Sequence, residues 1–303
     1  MPTQDGGVVW VIANPIAGSG RGSRHASVVI NALHSAGIAC RLVTPSSVEA
    51  THNATAQAVA SDARAVLACG GDGTVHVVLQ EIVHTTIPFG IVAGGSGDDI
   101  AASLGFPVHG GPAIAEHVVN AISLGRTRQV DVGTVTCADG STEYFVGVLS
   151  TGFDSAVNER ANRMARLGGQ RYNVAILREL ASFKPVAYDV VIDGERIQGE
   201  GMLVAIGNGH RYGGGMLVCP SAKPDDGILD VTWLGAVSTP TFLRALPSVY
   251  KGTHVTKSFV TTYRGRSLTI DAAAQIAYAD GERVGPLPIA VEALPGVLRV
   301  LGG

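Results

Sequence analysis

Along the first part of the chain, short apolar runs alternate with segments whose apolar positions recur every three to four residues. Val8–Ala13, Ala65–Cys69 and Phe89–Val92 are continuous apolar runs, the pattern of strands buried on both faces, and Ala39–Val43 also reads as a strand. His25–Ala36, Val48–Ala60 and the segment from Val75 to Val83 carry helical spacing, as do Asp99–Leu104 and Pro112–Leu124. Such alternation predicts a parallel sheet with helices on both faces. After about Arg128 the pattern changes to short β-rich runs. These are Gln129–Val135, Tyr144–Leu149, Tyr188–Ile192, Met202–Gly207, Leu229–Leu234, Val255–Thr262 and Ser267–Asp271. Turns rich in Gly, Asp and Pro separate them, as in an antiparallel β domain or sandwich. Two helical stretches interrupt the strands. One is Ala156–Ser182, broken at Gly168-Gly169. The other is Pro240–Tyr250, with Phe242, Leu243, Leu246, Val249 and Tyr250 on one face. The fold class expected is α/β plus all-β.

Composition narrows this picture. Apolar residues make up 46% of the 303 residues and charged ones only 16%, so the chain forms cores and is not disordered. A net charge of −3 argues against broad binding to nucleic acid. Cys40, Cys69, Cys137 and Cys219 lie far apart with no CxxC pair, which suits core residues in a reducing cytosol. Val8–Ala13 has no basic region before it, so it does not read as a signal peptide. No stretch is long enough to span a bilayer. Any membrane contact is therefore expected to be peripheral.

The candidate chemistry sits on glycine-rich turns at strand ends. Gly70-Gly71-Asp72-Gly73-Thr74 directly follows an apolar strand and opens a helix. A turn of this kind offers backbone N–H groups and the positive end of a helix dipole to a phosphate. A carboxylate there would repel phosphate unless it holds a metal or a sugar hydroxyl, or takes a proton. The first strand ends in Asn14-Pro15-Ile16-Ala17-Gly18-Ser19-Gly20-Arg21-Gly22, neither a Walker A loop nor G-x-G-x-x-G. Gly94-Gly95-Ser96-Gly97-Asp98-Asp99 forms a third such turn. Any one of them reads equally as a tight turn. Three at the carboxyl ends of three strands favour a phosphate site.

Later signals are locally ambiguous. Lys223-Pro224-Asp225-Asp226-Gly227 reads first as a turn and second as an oxygen-ligand loop for a hard cation. Ala279-Asp280-Gly281-Glu282 reads as a hairpin turn, with a carboxylate general base as the functional alternative. Arg160, Arg163, Arg166 and Arg171 form either a solvated helix face or a patch for anionic head groups.

Taken in order, these motifs resemble the diacylglycerol kinase catalytic family, which includes bacterial lipid kinases and is related to sphingosine and ceramide kinases. The likeness runs from Asn14-Pro15 and Gly18-Ser19-Gly20 through Gly70 to Thr74 and Gly95 to Asp99. It continues through Asp131-Val132-Gly133, Gly152-Phe153-Asp154, and Leu167-Gly168 with Tyr172. It ends with Gly207-Asn208, Pro220 to Gly227 and Asp280-Gly281-Glu282. The resemblance implies a Rossmann-like ATP-binding domain over 1–128, joined by a returning segment at about 290–303. A β-sandwich lipid-substrate domain would cover 129–289, with the active site in the cleft between the two. ATP would contact Asn14, Pro15, Ile16, Ala17, Gly18, Thr44, Gly71, Asp72, Gly73, Thr74, Val75, His76, Val77 and Ser96, with Asp72 and Asp99 near phosphates and magnesium. A structural Mg²⁺ would be held by the carbonyls of Lys223 and Ile228 and the carboxylate of Asp226, with Asp131 linked through water. Glu282 would be the general base, and related sphingoid kinases make Asp72 the competing candidate.

The implied activity is ATP-dependent phosphorylation of a lipid hydroxyl, with diacylglycerol giving phosphatidic acid in phospholipid synthesis. A sphingoid or ceramide lipid is the alternative, then an NAD kinase-like soluble substrate, then a non-catalytic nucleotide-binding module. The implied partners are a lipid at the inner face of the membrane and no nucleic acid. A homodimer is among the assemblies the resemblance allows, and the implied location is cytoplasmic with peripheral membrane contact. The chain departs from the family pattern at five positions. Ser96 and Asp98 replace Thr and Asn, His76 stands where Asn is common, and Pro224 and Ile228 replace Leu and an aromatic residue. Asp98 is thereby expected to add negative charge near the phosphates.

Overall fold

The structure, a computed structural model, describes residues 7–163 and 183–302. The chain divides into two compact units, Met1–Val132 with Pro295–Gly303, and Gly133–Leu294.

In the first unit, β1 (Val9–Ala13), β2 (Cys40–Val43), β3 (Ala65–Gly70) and β4 (Phe89–Ala93) form a parallel sheet in the order β4-β3-β1-β2. Val300, near the end of β15 (Ile289–Leu301), pairs in parallel with Phe89 of β4. Every residue of β1, β3 and β4 is buried, which is why these strands read as unbroken apolar runs. The crossovers are helical: α1 (Arg21–Ser35), α2 (Val48–Ala60), α3 (Asp72–Ile82), the short α4 (Asp99–Ser103) and α5 (Gly111–Ser123). α1 packs on α5 and α2 on α3. The Ser47 hydroxyl caps α2 by accepting the Ala50 N–H at 3.0 Å, a bond worth ~1 kcal/mol.

The second unit holds the end of β5 (Thr127–Cys137), then β6 (Thr142–Phe145), β7 (Val148–Gly152), α6 (Phe153–Arg163), β8 (Val186–Ile192), β9 (Glu195–Gly207) and β10 (Leu229–Gly235). After these come α7 (Thr239–Val249), β11 (Val260–Gly265), β12 (Ser267–Asp271), β13 (Ile276–Ala279), β14 (Glu282–Pro286) and the start of β15. Its strand pairs are antiparallel. β9 is the spine. Its first half pairs with β8, its second half with β7, and Gly201–Gly207 also pairs with β10. The strands enclose an apolar core of Phe145, Leu149, Val190, Ile206, Val231, Trp233 and Ile270 among others, the arrangement of a sandwich. Gly133 lies under the Phe145 ring, where a Cβ would come within 2.2 Å of ring carbon.

Two expectations need correction. Tyr144–Leu149 is not one strand, because Val146-Gly147 leaves the ladder between β6 and β7. Val255–Thr262 begins as a 3₁₀ turn over Thr253–Thr256, and β11 starts only at Val260. Its β-branched residues are overridden by His254, which is buried with Nε2 3.1 Å from the Val218 carbonyl oxygen. The hairpin turn expected at Ala279–Glu282 is present and joins β13 to β14. Of the expected helix Ala156–Ser182, α6 covers the part to Arg163. The break at Gly168-Gly169, Leu167, Tyr172, Arg166 and Arg171, and the side chains of Arg160 and Arg163, lie outside the described residues.

Candidate active site

In the first unit the parallel register aligns Ala13 with Cys69 and Gly70 with Ala93, so three glycine turns leave one edge of the sheet together. The Asn14 N–H donates to the Cys69 carbonyl at 3.0 Å. The Asn14 carboxamide accepts from the Ile16 N–H at 3.1 Å and donates to Thr74 Oγ1 at 3.4 Å, joining the first turn to the second. Gly18, Ser19 and Gly20 follow with φ of 54°, 57° and 86°, three successive left-handed residues. The turns touch backbone to backbone. A Cβ on Gly18 would meet the Gly94 carbonyl oxygen at 2.1 Å, and one on Gly95 would meet Gly71 Cα at 2.4 Å. The third turn is thus wedged between the other two, and glycine is required by contact at each face. The Arg21 guanidinium also donates to the Gly95 carbonyl.

The carboxylates of this edge are held by backbone. Asp72, in the first turn of α3, accepts the Asp99 N–H at 3.2 Å on one oxygen and the Ile100 N–H at 3.0 Å on the other. It therefore caps α4 and brings Asp72 and Asp99 together. Asp98 is buried at φ 55°, and its Oδ1 accepts the Gly95 N–H at 2.7 Å and the Gly94 N–H at 3.3 Å. Burial raises the Asp98 carboxyl above the usual carboxylate range, against the pull of those N–H groups, Arg21 and His25. The expectation that Asp98 adds charge toward phosphates is corrected on this point: the side chain folds back onto its own turn. Ser96 is exposed at the tip, and Asp99 is 4% exposed. Pro15, Ile16 and Thr44, the last just beyond β2, are exposed. Ala17, Gly71, Gly73, Thr74 and Val77 are half-buried, while Val75 and His76 turn their side chains into the core.

In the second unit, Glu282 opens β14 directly after a two-residue turn in which Asp280 and Gly281 have φ of 54° and 88°. Glu282 is exposed. Asp280 is 9% exposed, and its two oxygens accept the Val146 N–H at 3.1 Å and the Gly147 N–H at 2.8 Å. Asn208, fully buried, donates its amide to the Val146 carbonyl at 3.1 Å, and its backbone N–H donates to the Gly147 carbonyl at 3.0 Å. The two motif residues therefore take up the polar groups of the stretch that left the ladder. They lock the hairpin that carries Glu282. The motifs drew attention to Asp280 and Asn208, but hydrophobic pattern could not show what they hold.

The cation loop is a turn with Gly227 at φ 72°. Asp226 accepts the Ile228 N–H at 3.2 Å on Oδ1 and pairs with Arg264 on Oδ2. Arg264 also reaches Asp230 at 3.3 Å, and burial raises the Asp230 carboxyl while Arg264 opposes the rise. A carboxylate with two loop carbonyls, those of Lys223 and Ile228, is an oxygen set that suits a hard divalent cation, so the residues fit. A cation there would share Asp226 with the guanidinium. Asp131 lies in the first unit, 4% exposed, and accepts the Gly296 N–H at 2.8 Å. Among the described residues no group of three His, Cys, Asp or Glu side chains could hold a metal by itself. Asp154, at the start of α6, was flagged only as part of a motif. Burial raises its carboxyl, and the hydroxyls of Ser150 and Tyr212 with the Ser155 N–H pull it back.

Residues 8–135 match the family model for the diacylglycerol kinase catalytic domain, and residues 147–302 match that for the YegS C-terminal NAD kinase beta sandwich-like domain. The chain belongs to the diacylglycerol kinase family. It is a lipid kinase. It is 37% identical over 297 residues to the diacylglycerol kinase of Mycobacterium tuberculosis, covering 97% of this chain and 95% of that one. It is 24% identical over 284 residues to the diacylglycerol kinase of Bacillus subtilis, covering 92% and 90%. The fold of the kinase is shared with a crystal structure of a diacylglycerol kinase from Bacillus anthracis. The TM-score is 0.71 at 19% identity, over 98% of this chain and 97% of that one. No helix among the described residues of the kinase is long and apolar enough to cross a membrane.

Proposed function

We propose that this lipid kinase transfers the γ-phosphoryl group of ATP to the free hydroxyl of diacylglycerol, giving phosphatidic acid at the inner face of a membrane. The observation that carries the reading is the wedge of three glycine turns at one sheet edge, with Asp72 and Asp99 joined at its centre. The relatives named diacylglycerol kinase, matched over nearly the whole chain, support the choice of lipid.

In this reading the first unit binds the nucleotide. Asn14 to Gly18, Thr44, Gly71 to Val77 and Ser96 line the phosphates and the nucleoside. The turns act through backbone N–H groups and the N-terminal end of α3. Asp72 and Asp99 face the triphosphate with Mg²⁺, which when bound offsets its charge. In the second unit, Asp226 with the carbonyls of Lys223 and Ile228 would hold a second, structural Mg²⁺. Glu282 accepts the proton of the attacking hydroxyl. Its hairpin is held rigid by Asp280, so catalysis rests on position and charge rather than on covalent chemistry.

The test is radiolabelled ATP with a panel of diacylglycerol, sphingosine, ceramide and NAD, each with and without Mg²⁺. Labelled phosphatidic acid as the dominant product supports the reading. Label that appears chiefly on another acceptor moves the substrate, and no label on any of them rejects the reading.

A further inference from the structure

The helix α7 is apolar yet contains no buried residue. Its inner side is anchored. The Phe242 ring packs on Phe153 with centroids 4.8 Å apart, and the Val249 carbonyl accepts the Leu217 N–H at 3.1 Å. Its outer side is not covered. Leu243 is 46% exposed, Tyr250 just beyond the helix end is 52% exposed, and Pro247 between them is exposed too. The spacing i, i+4, i+7 puts these three on one face. Arg244 and Lys251, each one residue further on, are exposed along the flank of that face, and Lys257 is exposed beyond.

The charge of the surrounding sequence is one-sided. From Val231 to Ile270 the sequence contains no Asp or Glu and five basic residues, Arg244, Lys251, Lys257, Arg264 and Arg266, in a chain whose net charge is −3. Arg264 is engaged by Asp226 and Asp230, which lie just before the stretch, so it is not among the cations offered to a partner. A protruding stripe of leucine, proline and tyrosine flanked by cations is the surface chemistry of an element lying in a lipid head-group layer. Tyr suits that layer, with an apolar body and a polar tip.

We propose that the outward face of α7 docks the kinase onto the surface of an anionic bilayer, with Leu243 and Tyr250 entering the head-group region and Arg244 and Lys251 meeting anionic phosphates. This rests on the reading that the acceptor is a bilayer lipid. A neutral protein partner would not call for a forty-residue stretch free of acid, whereas an anionic membrane would.

The test is sedimentation of the full chain with vesicles of phosphatidylcholine alone and with phosphatidylglycerol added, at low and high salt. The wild type should sediment with the anionic vesicles and lose binding as salt rises. Arg244→Gln with Lys251→Gln should weaken partitioning about 30-fold, from roughly fivefold for each basic residue. Leu243→Ser with Tyr250→Ser should weaken it further, with unchanged circular dichroism and melting. Phosphorylation of a short-chain diacylglycerol below its micellar concentration should be the same in these variants as in wild type, while phosphorylation of vesicle lipid falls. Variants that sediment like wild type, or wild type that ignores anionic vesicles, overturn the docking. A self-association removed by the same substitutions, without vesicle binding, assigns the face to a second copy and also overturns it. Sedimentation decides the docking whether or not the short-chain lipid is phosphorylated. Failure on every diacylglycerol with intact vesicle binding rejects the substrate and leaves the docking standing.

Discussion

The two candidate regions hold their carboxylates in opposite ways. At the sheet edge of the first unit, Asp72 and Asp98 accept backbone N–H groups of the turns they serve, and Asp99 is buried beside them. At the hairpin of the second unit the roles are divided: Asp280 is buried and bonded, and its neighbour Glu282 stands exposed. On the proposed function, the first region combines chemistry with structure in the same side chain. The second separates them by two residues. Substitution of Asp72 should therefore damage activity and stability together, whereas loss of Glu282 should cost activity alone and loss of Asp280 should cost stability first and activity only through it.

The largest effect expected is at Asp72. Asp72→Ala should bring phosphoryl transfer near background in the radiolabelled assay. Because two N–H groups of α4 lose their acceptor, it should also lower stability by ~1–2 kcal/mol in urea unfolding. Loss of activity without loss of stability would remove the cap from the comparison. Glu282→Gln should cut turnover about 10²–10⁴-fold with melting unchanged and ATP affinity close to wild type. If Glu282→Gln keeps its turnover while Asp72→Asn binds ATP but is inactive, the base lies in the first region instead.

Asp280→Ala should cost ~2–4 kcal/mol, because it strands two buried N–H groups. Its activity should fall through displacement of the hairpin although Glu282 is intact, and a stable, fully active variant would show that the hairpin holds itself. The smallest effect is at Asp98. Its carboxyl is raised in the folded state, so the native protein retains the proton that the unfolded chain releases, and stability falls as pH rises above the ordinary carboxylate value of 3.8. Asp98→Asn keeps an oxygen acceptor and tolerates the left-handed φ. Its melting temperature should gain on wild type as pH rises through that window, and a gap that does not change with pH would contradict the burial argument.

Much of this was written in local pattern. The apolar runs of β1, β3 and β4 announced a parallel sheet because each strand is buried on both faces, and the helices followed from their spacing. The glycine turns were visible for the same reason, since backbone contact admits no other residue there. The motif order carried the family. What local pattern could not carry is the partner of each polar side chain. That Asp72 caps α4, and that Asp280 and Asn208 share the stretch Val146-Gly147, depends on residues 27 to 134 positions apart. The strand misread at Val255–Thr262 has the same origin, because its β-branched residues are overruled by the burial of His254 against Val218. Hydrophobic periodicity reports which face of a segment meets a core, so the sequence by itself determined the elements and the glycine turns. A buried carboxylate is stable only if N–H groups reach it, and only the folded chain decides which ones do.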